Sequence, residues 1–209
     1  MSGNWLFGAG ANTRKNKKAA LNFSHNKKLW EDCENRLLCG QKNPPATDMR
    51  YGKYTLGYNG CELIAVCNVM LLLGNPQPLW KIVLEAELNN MFYFFKNGVF
   101  GSDPKKLRRF FSAYGLSFSY HKNQADFLSA TSNGESLCGI VSFWNNKRSE
   151  HPINFFGGGL HTVAFSFDKS EKIFKAYNVN SHDKSPVAFE KIDDLWSDRR
   201  FIVGYVFKI

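Results

Sequence analysis

One segment of the chain is apolar on every side of a helical projection. Residues 61–73 (CELIAVCNVMLLL) contain only two strongly polar side chains, those of Glu62 and Asn68. A helix that is hydrophobic all round is buried on most of its sides. Residues 74–76 (GNP) follow directly, and glycine followed by proline is typical of a helix C-terminus. The pattern therefore predicts a buried helix at the centre of the fold.

Around this segment, the pattern changes from helical in the first half of the chain to strand-like in the second. Asp103 and Pro104 begin one helix, as its cap and its first helical residue. Helices are predicted over residues 26–38, 78–90, 103–114 and 123–131 and near 191–196, with a loop over residues 41–58. Strands are predicted over residues 116–120, 136–143, 161–167, 173–180 and 201–208. Helices followed by an antiparallel sheet are an α+β arrangement.

The length of the chain suits a single domain. It has 209 residues, enough for a sizeable core, and its 19 phenylalanines supply much of the apolar surface that fills one. Residues 1–24 are rich in glycine, asparagine and lysine, and we predict that they form a flexible, basic N-terminal arm. A single folded domain is therefore expected over residues 25–209.

Charge is unevenly distributed. The net charge is +9, and much of the basic excess lies in the first 28 residues. A basic segment can bind nucleic acid, anionic lipid or acidic peptide, or it can be a solvated tail. No RRM, KH or zinc motif accompanies the charge, which argues against nucleic acid. We favour the solvated tail, and the sequence does not indicate an oligomeric state.

Five cysteines lie far apart along the chain. An odd number in a chain of this length does not suggest a disulfide framework, and the lack of a CxxC pair argues against a zinc site. No segment has the pattern of a signal peptide, and the apolar run over residues 69–73 is too short to span a membrane. We expect a reduced, soluble, cytoplasmic protein without metal or cofactor, although non-classical export would leave no trace in the sequence.

Cys61 is the residue whose position most clearly suggests a chemical role. It begins the predicted buried helix after Gly60, so its thiol lies where unpaired backbone N–H groups and the helix dipole favour an anion. Both effects lower the pKa of a thiol and raise its thiolate fraction. We therefore predict that Cys61 is a nucleophile, whereas Cys67 in mid-helix is a core residue. Glu62 either steers a substrate amine or only stabilises the first turn of the helix.

His161 is best placed to act as the base that such a nucleophile needs. Three glycines at residues 157–159 lead into the strand that begins near His161, so the imidazole is expected at the edge of a strand beside an open loop. The other four histidines lie in polar, loop-like surroundings. Because Cys61 is present, we predict His161 as the general base.

The expected pairing of two neighbouring strands indicates a third residue. A four-residue loop over residues 168–171 would place His161 opposite Asn178 on the next antiparallel strand. Directly opposed residues share a face of the sheet, so the amide would lie beside the imidazole, accept its N–H and fix its tautomer. A loop two residues longer would place Asn180 there instead. A slip of one residue would place Val179 there and remove the third member.

The order of cysteine, histidine and asparagine across a helix-to-sheet junction resembles the papain-like cysteine peptidases. More narrowly, YNGCELIAVCNVMLLLG, GGGLHTVAF and KAYNVNS resemble the C39-like branch, which includes bacterial peptidase domains that trim bacteriocin leaders. The resemblance covers residues 54–209. It implies a papain-like fold, in which N-terminal helices and a central helix carrying the cysteine pack on a C-terminal antiparallel sheet. It also implies a catalytic triad of Cys61, His161 and Asn178.

The sequence departs from this resemblance at the oxyanion hole. Papain-like enzymes usually carry a glutamine a few residues before the cysteine, and residues 51–60 (YGKYTLGYNG) contain none. Thr55 occupies the expected place, and the Asn59 amide could supply the donor together with the backbone N–H of Cys61. Loss of one oxyanion donor typically lowers a rate by about 10²–10³-fold. The C39-like branch also often has an aspartate as third member, where this chain has an asparagine.

Several functions remain compatible with these residues. The leading hypothesis is a cysteine peptidase or amidase, a thiol protease that hydrolyses a peptide or peptide-like amide through a thioester. The same triad also serves acyl transfer, and a degraded papain-like domain could hold a peptide without cleaving it. The expected substrate is an extended peptide, and acidic residues in it would suit the net charge. Trp144, Phe155 and Phe156 flank the site, and we expect them in the core rather than in a groove.

Overall fold

Helices and one short hairpin make up the first half of the fold. The computed structural model describes residues 13–31, 33, 36–93, 98–132, 135–147 and 159–209. The helices are α1 (Thr13–Trp30), α2 (Leu56–Asn59), α3 (Cys61–Leu72), α4 (Leu79–Leu88) and α5 (Leu107–Ala113), and the hairpin pairs β1 (Arg50–Tyr51) with β2 (Tyr54–Thr55). The Asp103 carboxylate accepts from the backbone N–H of Lys105 at 3.0 Å, and Pro104 begins a 3₁₀ turn that leads into α5. The buried helix, the helix after Pro78 and the helix capped by Asp103 are therefore confirmed.

An antiparallel sheet of six strands organises the second half. The strands are β3 (Ser119–His121), β4 (Leu137–Lys147), β5 (Leu160–Asp168), β6 (Ile173–Tyr177), β7 (Val187–Phe189) and β8 (Arg199–Lys208), with α6 (Gln124–Thr131) after β3 and a 3₁₀ turn (Ile192–Leu195) before β8. Their order across the sheet is β3-β8-β4-β5-β6-β7, and neighbouring strands are antiparallel. The predicted α+β arrangement is confirmed. The short elements β1, β2, α2 and β7 were not predicted, because elements of so few residues show no period.

Helix α1 begins and ends earlier than predicted. It contains residues 13–24, which were expected in a flexible arm, and it ends at Trp30 rather than at residue 38. An asparagine fixes it to the β1–β2 hairpin: the Asn26 amide donates to the Arg50 oxygen at 2.8 Å and accepts from the Arg50 N–H at 2.7 Å. Polar side chains thus make part of the packing of α1, and a hydrophobic period does not reveal polar contacts. The first twelve residues of the expected arm lie outside the described part of the chain.

The sheet is covered on both faces, and α3 lies in the larger of two cores. This core joins α3, α4 and α5 to one face, whereas α6 and Trp196 cover the other. Every residue of α3 from Cys61 to Met70 is buried, as its all-round apolar pattern predicts. Asn68 in mid-helix is satisfied by Leu38, whose N–H donates to Oδ1 at 2.7 Å and whose oxygen accepts from Nδ2 at 2.9 Å. Its polarity therefore serves the packing of α3.

Strands β5 and β6 pair in a register two residues away from the predicted one. Phe165 lies opposite Ala176, where a loop over residues 168–171 would have placed Phe174. The loop still has four residues, but it covers residues 169–172 because β5 ends one residue later than predicted, at Asp168. A shift by an even number of residues leaves every side chain on its predicted face. The error therefore changes the partner of each residue and not the orientation of the strand.

Candidate functional site

Cys61 begins α3 and lies against β5. Gly60 is the N-cap, and a side-chain carbon there would come within 2.5 Å of Leu56, so glycine allows α3 to follow α2 directly. The Cys61 thiol donates to the main-chain oxygen of Leu160 at 3.8 Å, and the backbone N–H of Thr162 also contacts its sulfur. The nucleophile predicted at a helix start is thus placed beside the strand that carries the predicted base.

The Cys61 thiol is buried, and this overturns the expectation of a low pKa. The residue is 6% exposed. Burial raises the pKa of the Cys61 thiol well above its usual range, and the charge of the neighbouring Glu62 raises it further. Backbone N–H groups of Thr162 and Glu62 act in the opposite direction, but their contribution is smaller. Loss of hydration therefore outweighs the effect of the helix N-terminus.

The His161 ring is held by main-chain oxygens. Its Nε2 lies 2.8 Å from the oxygen of Asn178 and 3.1 Å from that of Val179. A carbonyl oxygen can only accept, so Nε2 carries the ring proton. Burial lowers the pKa of His161, and the nearby charge of Arg199 adds to this effect. The ring is therefore neutral near pH 7 with its lone pair on Nδ1, the tautomer that a general base needs.

The thiol and the imidazole do not form a hydrogen bond within the described part of the chain. The Thr162 hydroxyl lies 3.5 Å from the Glu62 carboxyl on α3, whereas the His161 ring packs edge-on against Phe143, with ring centroids 5.8 Å apart. Adjacent residues of a strand point to opposite faces, so His161 leaves β5 on the face away from α3. The Cys61 thiol therefore contacts the backbone of Leu160 and Thr162, on either side of His161, but the predicted thiol–imidazole hydrogen bond is not formed.

Asn178 orients the imidazole through its backbone rather than through its amide. The Asn178 Oδ1 accepts from the backbone N–H of Gln41 at 2.7 Å, and its Nδ2 lies 3.4 Å from the Gln41 Oε1. The residue follows the end of β6 with φ 66°, so the strand does not continue alongside His161. The prediction that the amide fixes the His161 tautomer is therefore wrong, because the main-chain oxygen occupies that place.

Asn180, the alternative third residue, is also directed elsewhere. The observed register would bring Asn180 opposite His161, but the β5–β6 ladder ends earlier, at Ala164 and Tyr177. The Asn180 side chain is exposed, and its Nδ2 donates to the Asp183 carboxylate at 3.2 and 3.3 Å. Neither asparagine amide thus contacts the imidazole.

Gln41 is a site residue that no sequence pattern predicted. Its Nε2 donates to the Gly57 oxygen at 3.1 Å, and its Oε1 and backbone N–H face Asn178. Gln41 therefore connects α2, which leads into the nucleophile, to the turn that holds the His161 ring. It lies well upstream of residues 51–60, which contain no glutamine. A lone glutamine in a loop gives no periodic signal that could have selected it.

Neither predicted oxyanion donor is placed to donate a hydrogen bond to a substrate oxygen. Asn59 is buried, and its Nδ2 donates to the Tyr51 oxygen at 3.3 Å and to the Gly98 oxygen. Its Oδ1, which can only accept, has no hydrogen-bond partner in the described part of the chain. Thr55 is exposed and pairs with Arg50 in the hairpin. The roles expected of Asn59 and Thr55 are thus corrected, because one amide is committed to carbonyls and the hydroxyl faces solvent.

Glu62 is buried behind the thiol and is not open to a substrate. It is 1% exposed, and its Oε2 accepts from the backbone N–H of Ser102 at 3.3 Å. Burial raises the pKa of Glu62 to about 8, although contacts with backbone N–H groups, the Cys61 thiol and Thr162 lower it in part. Steering of a substrate amine by this carboxyl is therefore excluded by its burial.

Other predicted features can be compared with the described residues. All five cysteines carry free thiols. In the ranges that the structure describes, no three side chains of histidine, cysteine, aspartate or glutamate gather as a metal site would require. Nor does any helix in those ranges have the length and apolar character needed to cross a membrane. Trp144 on β4 is partly buried, whereas Phe155, Phe156 and residues 157–158 lie outside the described part.

Comparison with known proteins adds no family assignment. The chain matches no protein-family model, and no curated protein matches its sequence.

Proposed function

We propose that this chain is a papain-like cysteine hydrolase that cleaves a peptide or peptide-like amide through a Cys61 thioester. One observation carries the proposal. The Cys61 thiol, at the start of a buried helix, lies against the backbone of the strand whose next side chain is His161, and that imidazole is neutral with its lone pair on Nδ1. A nucleophile and an acid–base group thus lie at neighbouring positions of the helix–sheet junction, with the backbone of β5 between them.

The reaction divides between these two residues. Cys61 sulfur attacks the substrate carbonyl carbon, and the C–N bond breaks as the leaving amine receives a proton. His161 first takes up a proton on Nδ1 and supplies it to the amine, and it later accepts one from the water that hydrolyses the thioester. Because Nε2 is anchored to the Asn178 and Val179 oxygens, Nδ1 exchanges the protons. The ring must approach the bound acyl group for these steps, and apo arrangements of catalytic groups are often looser than those in the complex.

The fold supports an extended peptide as the substrate. Cys61 lies where the helical half meets the sheet, and an extended backbone can pair with main-chain groups at such a junction. The net charge of +9 favours acidic peptides through faster capture rather than through tight contact.

A second candidate is a papain-like module that binds a peptide without cleaving it. Two observations favour it: the thiol donates to the Leu160 oxygen instead of contacting the imidazole, and burial raises the pKa of Cys61. A thiol that stays protonated is a poor nucleophile. The hydrolase needs Cys61 for turnover, whereas the binding module binds its peptide without needing the Cys61 thiol.

The test is hydrolysis of a library of extended peptides by the parent chain and by Cys61→Ala and His161→Ala. Cys67→Ala is the matched control, because Cys67 is a second buried thiol on the same helix and donates to the Gln77 oxygen. We expect turnover by the parent and by Cys67→Ala, and loss of turnover in the other two variants. Equal peptide binding by the parent and Cys61→Ala, without cleavage by either, would establish the binding module instead. Cleavage that requires an acyl acceptor other than water would make the protein a transferase.

A further inference from the structure

Glu62 occupies a pocket that is shaped around its carboxyl group. Its Oε2 accepts from the Ser102 N–H at 3.3 Å, and its Oε1 lies 3.5 Å from the Thr162 hydroxyl. Gly101 has φ 71°, and a side-chain carbon at this position would come 2.9 Å from the Glu62 Oε2. Glycine thus permits the loop backbone to close directly over the carboxyl.

No positive charge in the described part of the chain balances this carboxyl. Among the residues that the structure describes, no lysine, arginine or histidine forms an ion pair with Glu62. A buried carboxylate without a cation is costly, so the carboxyl keeps its proton to higher pH. Burial accordingly raises the pKa of Glu62 to about 8. The carboxyl can therefore change charge within the pH range in which most enzymes work.

The groups around Glu62 single out the Cys61 thiol as its proton partner. The thiol belongs to the preceding residue of the same helix, and Thr162 lies against both groups, with its N–H on the sulfur and its hydroxyl 3.5 Å from the Glu62 Oε1. From β1 the Tyr51 phenol faces this region, but burial raises the pKa of Tyr51 well above its usual value and its hydroxyl pairs with Ser102 at 2.8 Å. From β5 comes Thr162, which does not titrate, and His161 lies on the opposite face of that strand.

We propose that Glu62 is the catalytic residue that accepts the proton of the Cys61 thiol, so that the two buried groups act as one acid–base pair sharing a single negative charge. This inference rests on the proposed hydrolase function. It assigns the thiol step to a residue that touches the reacting sulfur, and it leaves the leaving amine and the water to His161.

The proton balance of the step is simple. The pair first loses one proton to solvent, which leaves the Glu62 carboxylate beside the Cys61 S–H. As sulfur bonds to the carbonyl carbon, the S–H proton moves to the carboxylate and the carbonyl oxygen gains the negative charge. Collapse of this intermediate breaks the C–N bond, and the amine takes a proton that His161 has first taken up from solvent on Nδ1. The Glu62 carboxyl then returns its proton to solvent, and no oxidant or reductant takes part.

A merely structural carboxyl predicts a different outcome. If Glu62 only filled its pocket and bonded Ser102, a glutamine would serve equally well, because its Oε1 can accept the same N–H. If its charge only suppressed the thiolate, glutamine would make the enzyme faster. Only a proton acceptor predicts a slower enzyme on this isosteric change.

The experiment compares the parent, Glu62→Gln and Glu85→Gln. Glu85 is the matched control: it is a second buried carboxyl with a raised pKa, and it bonds Tyr114 away from the thiol. Hydrolysis of a cleaved peptide is followed from pH 6 to 10, and Cys61 alkylation by iodoacetamide is followed by peptide mapping. We expect parent hydrolysis to rise and level off near pH 8, and Glu62→Gln to be slower by about 10²-fold or more. Glu85→Gln should match the parent.

Alkylation supplies a readout that needs no turnover. In the parent, the Cys61 rate should bend near pH 8, where the pair has lost its shared proton, and in Glu62→Gln the rate should keep rising about tenfold per pH unit. Hydrolysis by Glu62→Gln at the parent rate overturns the inference. So does a parent alkylation profile without the bend, even if the variant does not fold. A bend in a parent that hydrolyses no peptide would remove the proposed function and leave the shared proton standing.

Discussion

The His161 Nε2–H donates to the main-chain oxygen of Asn178 over 2.8 Å, while the Asn178 amide faces Gln41. One residue thus orients the imidazole with its backbone and ties the upstream loop with its side chain. Because the bond to the ring uses no side-chain atom, mutation of Asn178 should act through the shape of the turn rather than through loss of an amide at the ring.

Asn178→Gly and Asn178→Ala should therefore differ. Both remove the hydrogen bond to the Gln41 N–H, which costs about 1 kcal/mol. Alanine must also adopt φ 66°, which costs a further ~1 kcal/mol and which glycine tolerates. Urea unfolding should show the larger loss of stability in the alanine variant. In Asn178→Gly, nitrogen NMR should still find the His161 proton on Nε2. A proton on Nδ1 in this variant would show that the amide sets the tautomer.

Gln41→Ala should loosen the link between α2 and the His161 turn. It removes the donor to the Gly57 oxygen and the partner of the Asn178 Nδ2. We expect a loss of about 1–2 kcal/mol in unfolding free energy and a lower hydrolysis rate with little change in peptide affinity. Gln77→Ala, which alters an amide that bonds Asn75 and Lys81, is the control. Equal effects of the two variants on rate would remove Gln41 from the site.

The order of thiol alkylation should follow burial at neutral pH. Cys33 and Cys39 are partly exposed, whereas Cys61, Cys67 and Cys138 are buried. Since burial also raises the pKa of Cys61, iodoacetamide at pH 7 should modify Cys33 and Cys39 first, as mass spectrometry of digested protein would show. Modification of Cys61 should become prominent only as the pH rises. Preferential labelling of Cys61 at pH 7 would contradict the raised pKa and show that its thiolate is stabilised despite burial.

Stability should fall as the pH rises from about 5 to 8. Burial raises the pKa of Glu62 from 4.5 to about 8, so over this interval the folded chain binds more protons than the unfolded chain. Each pH unit then costs up to about 1.4 kcal/mol. Glu62→Gln should flatten this dependence in denaturant unfolding measured at several pH values. His161 contributes with the opposite sign at lower pH, because burial lowers its pKa. An unchanged slope in the glutamine variant would contradict the ionisation assigned to Glu62.

The arrangement of elements could be predicted where a period or a stop signal was present. The apolar run from Cys61 and the cap at Asp103 both specify their helices, and alternation specifies the long strands. Helix α1 escaped because its contacts with the hairpin use asparagine side chains, which carry no hydrophobic period. The short elements escaped because two to four residues are too few to show one.

Sequence could identify candidate site residues but not the contacts that those residues make. The position of Cys61 at the start of a helix indicated a nucleophile. The sequence could not show that burial raises the pKa of this thiol more than the helix N-terminus lowers it. Because β5 ends one residue later than predicted, the β5–β6 register moved by two residues. The left-handed backbone at Asn178 then placed its main-chain oxygen, instead of its side-chain amide, at the imidazole. Gln41 and Glu62 gained their places from contacts made across the fold, with Asn178 and with Ser102. Such contacts depend on packing that no local pattern encodes.

The measurement that tests the hydrolase most directly is the intact mass of the protein during turnover of a cleaved peptide, after acid quenching. We expect a species heavier by the acyl part of the peptide, mapped to Cys61, in the parent and in Cys67→Ala. Its formation should match the rate of amine release, and it should be absent in Cys61→Ala. Product formation without this adduct, and undiminished in Cys61→Ala, would contradict a thioester mechanism at this residue.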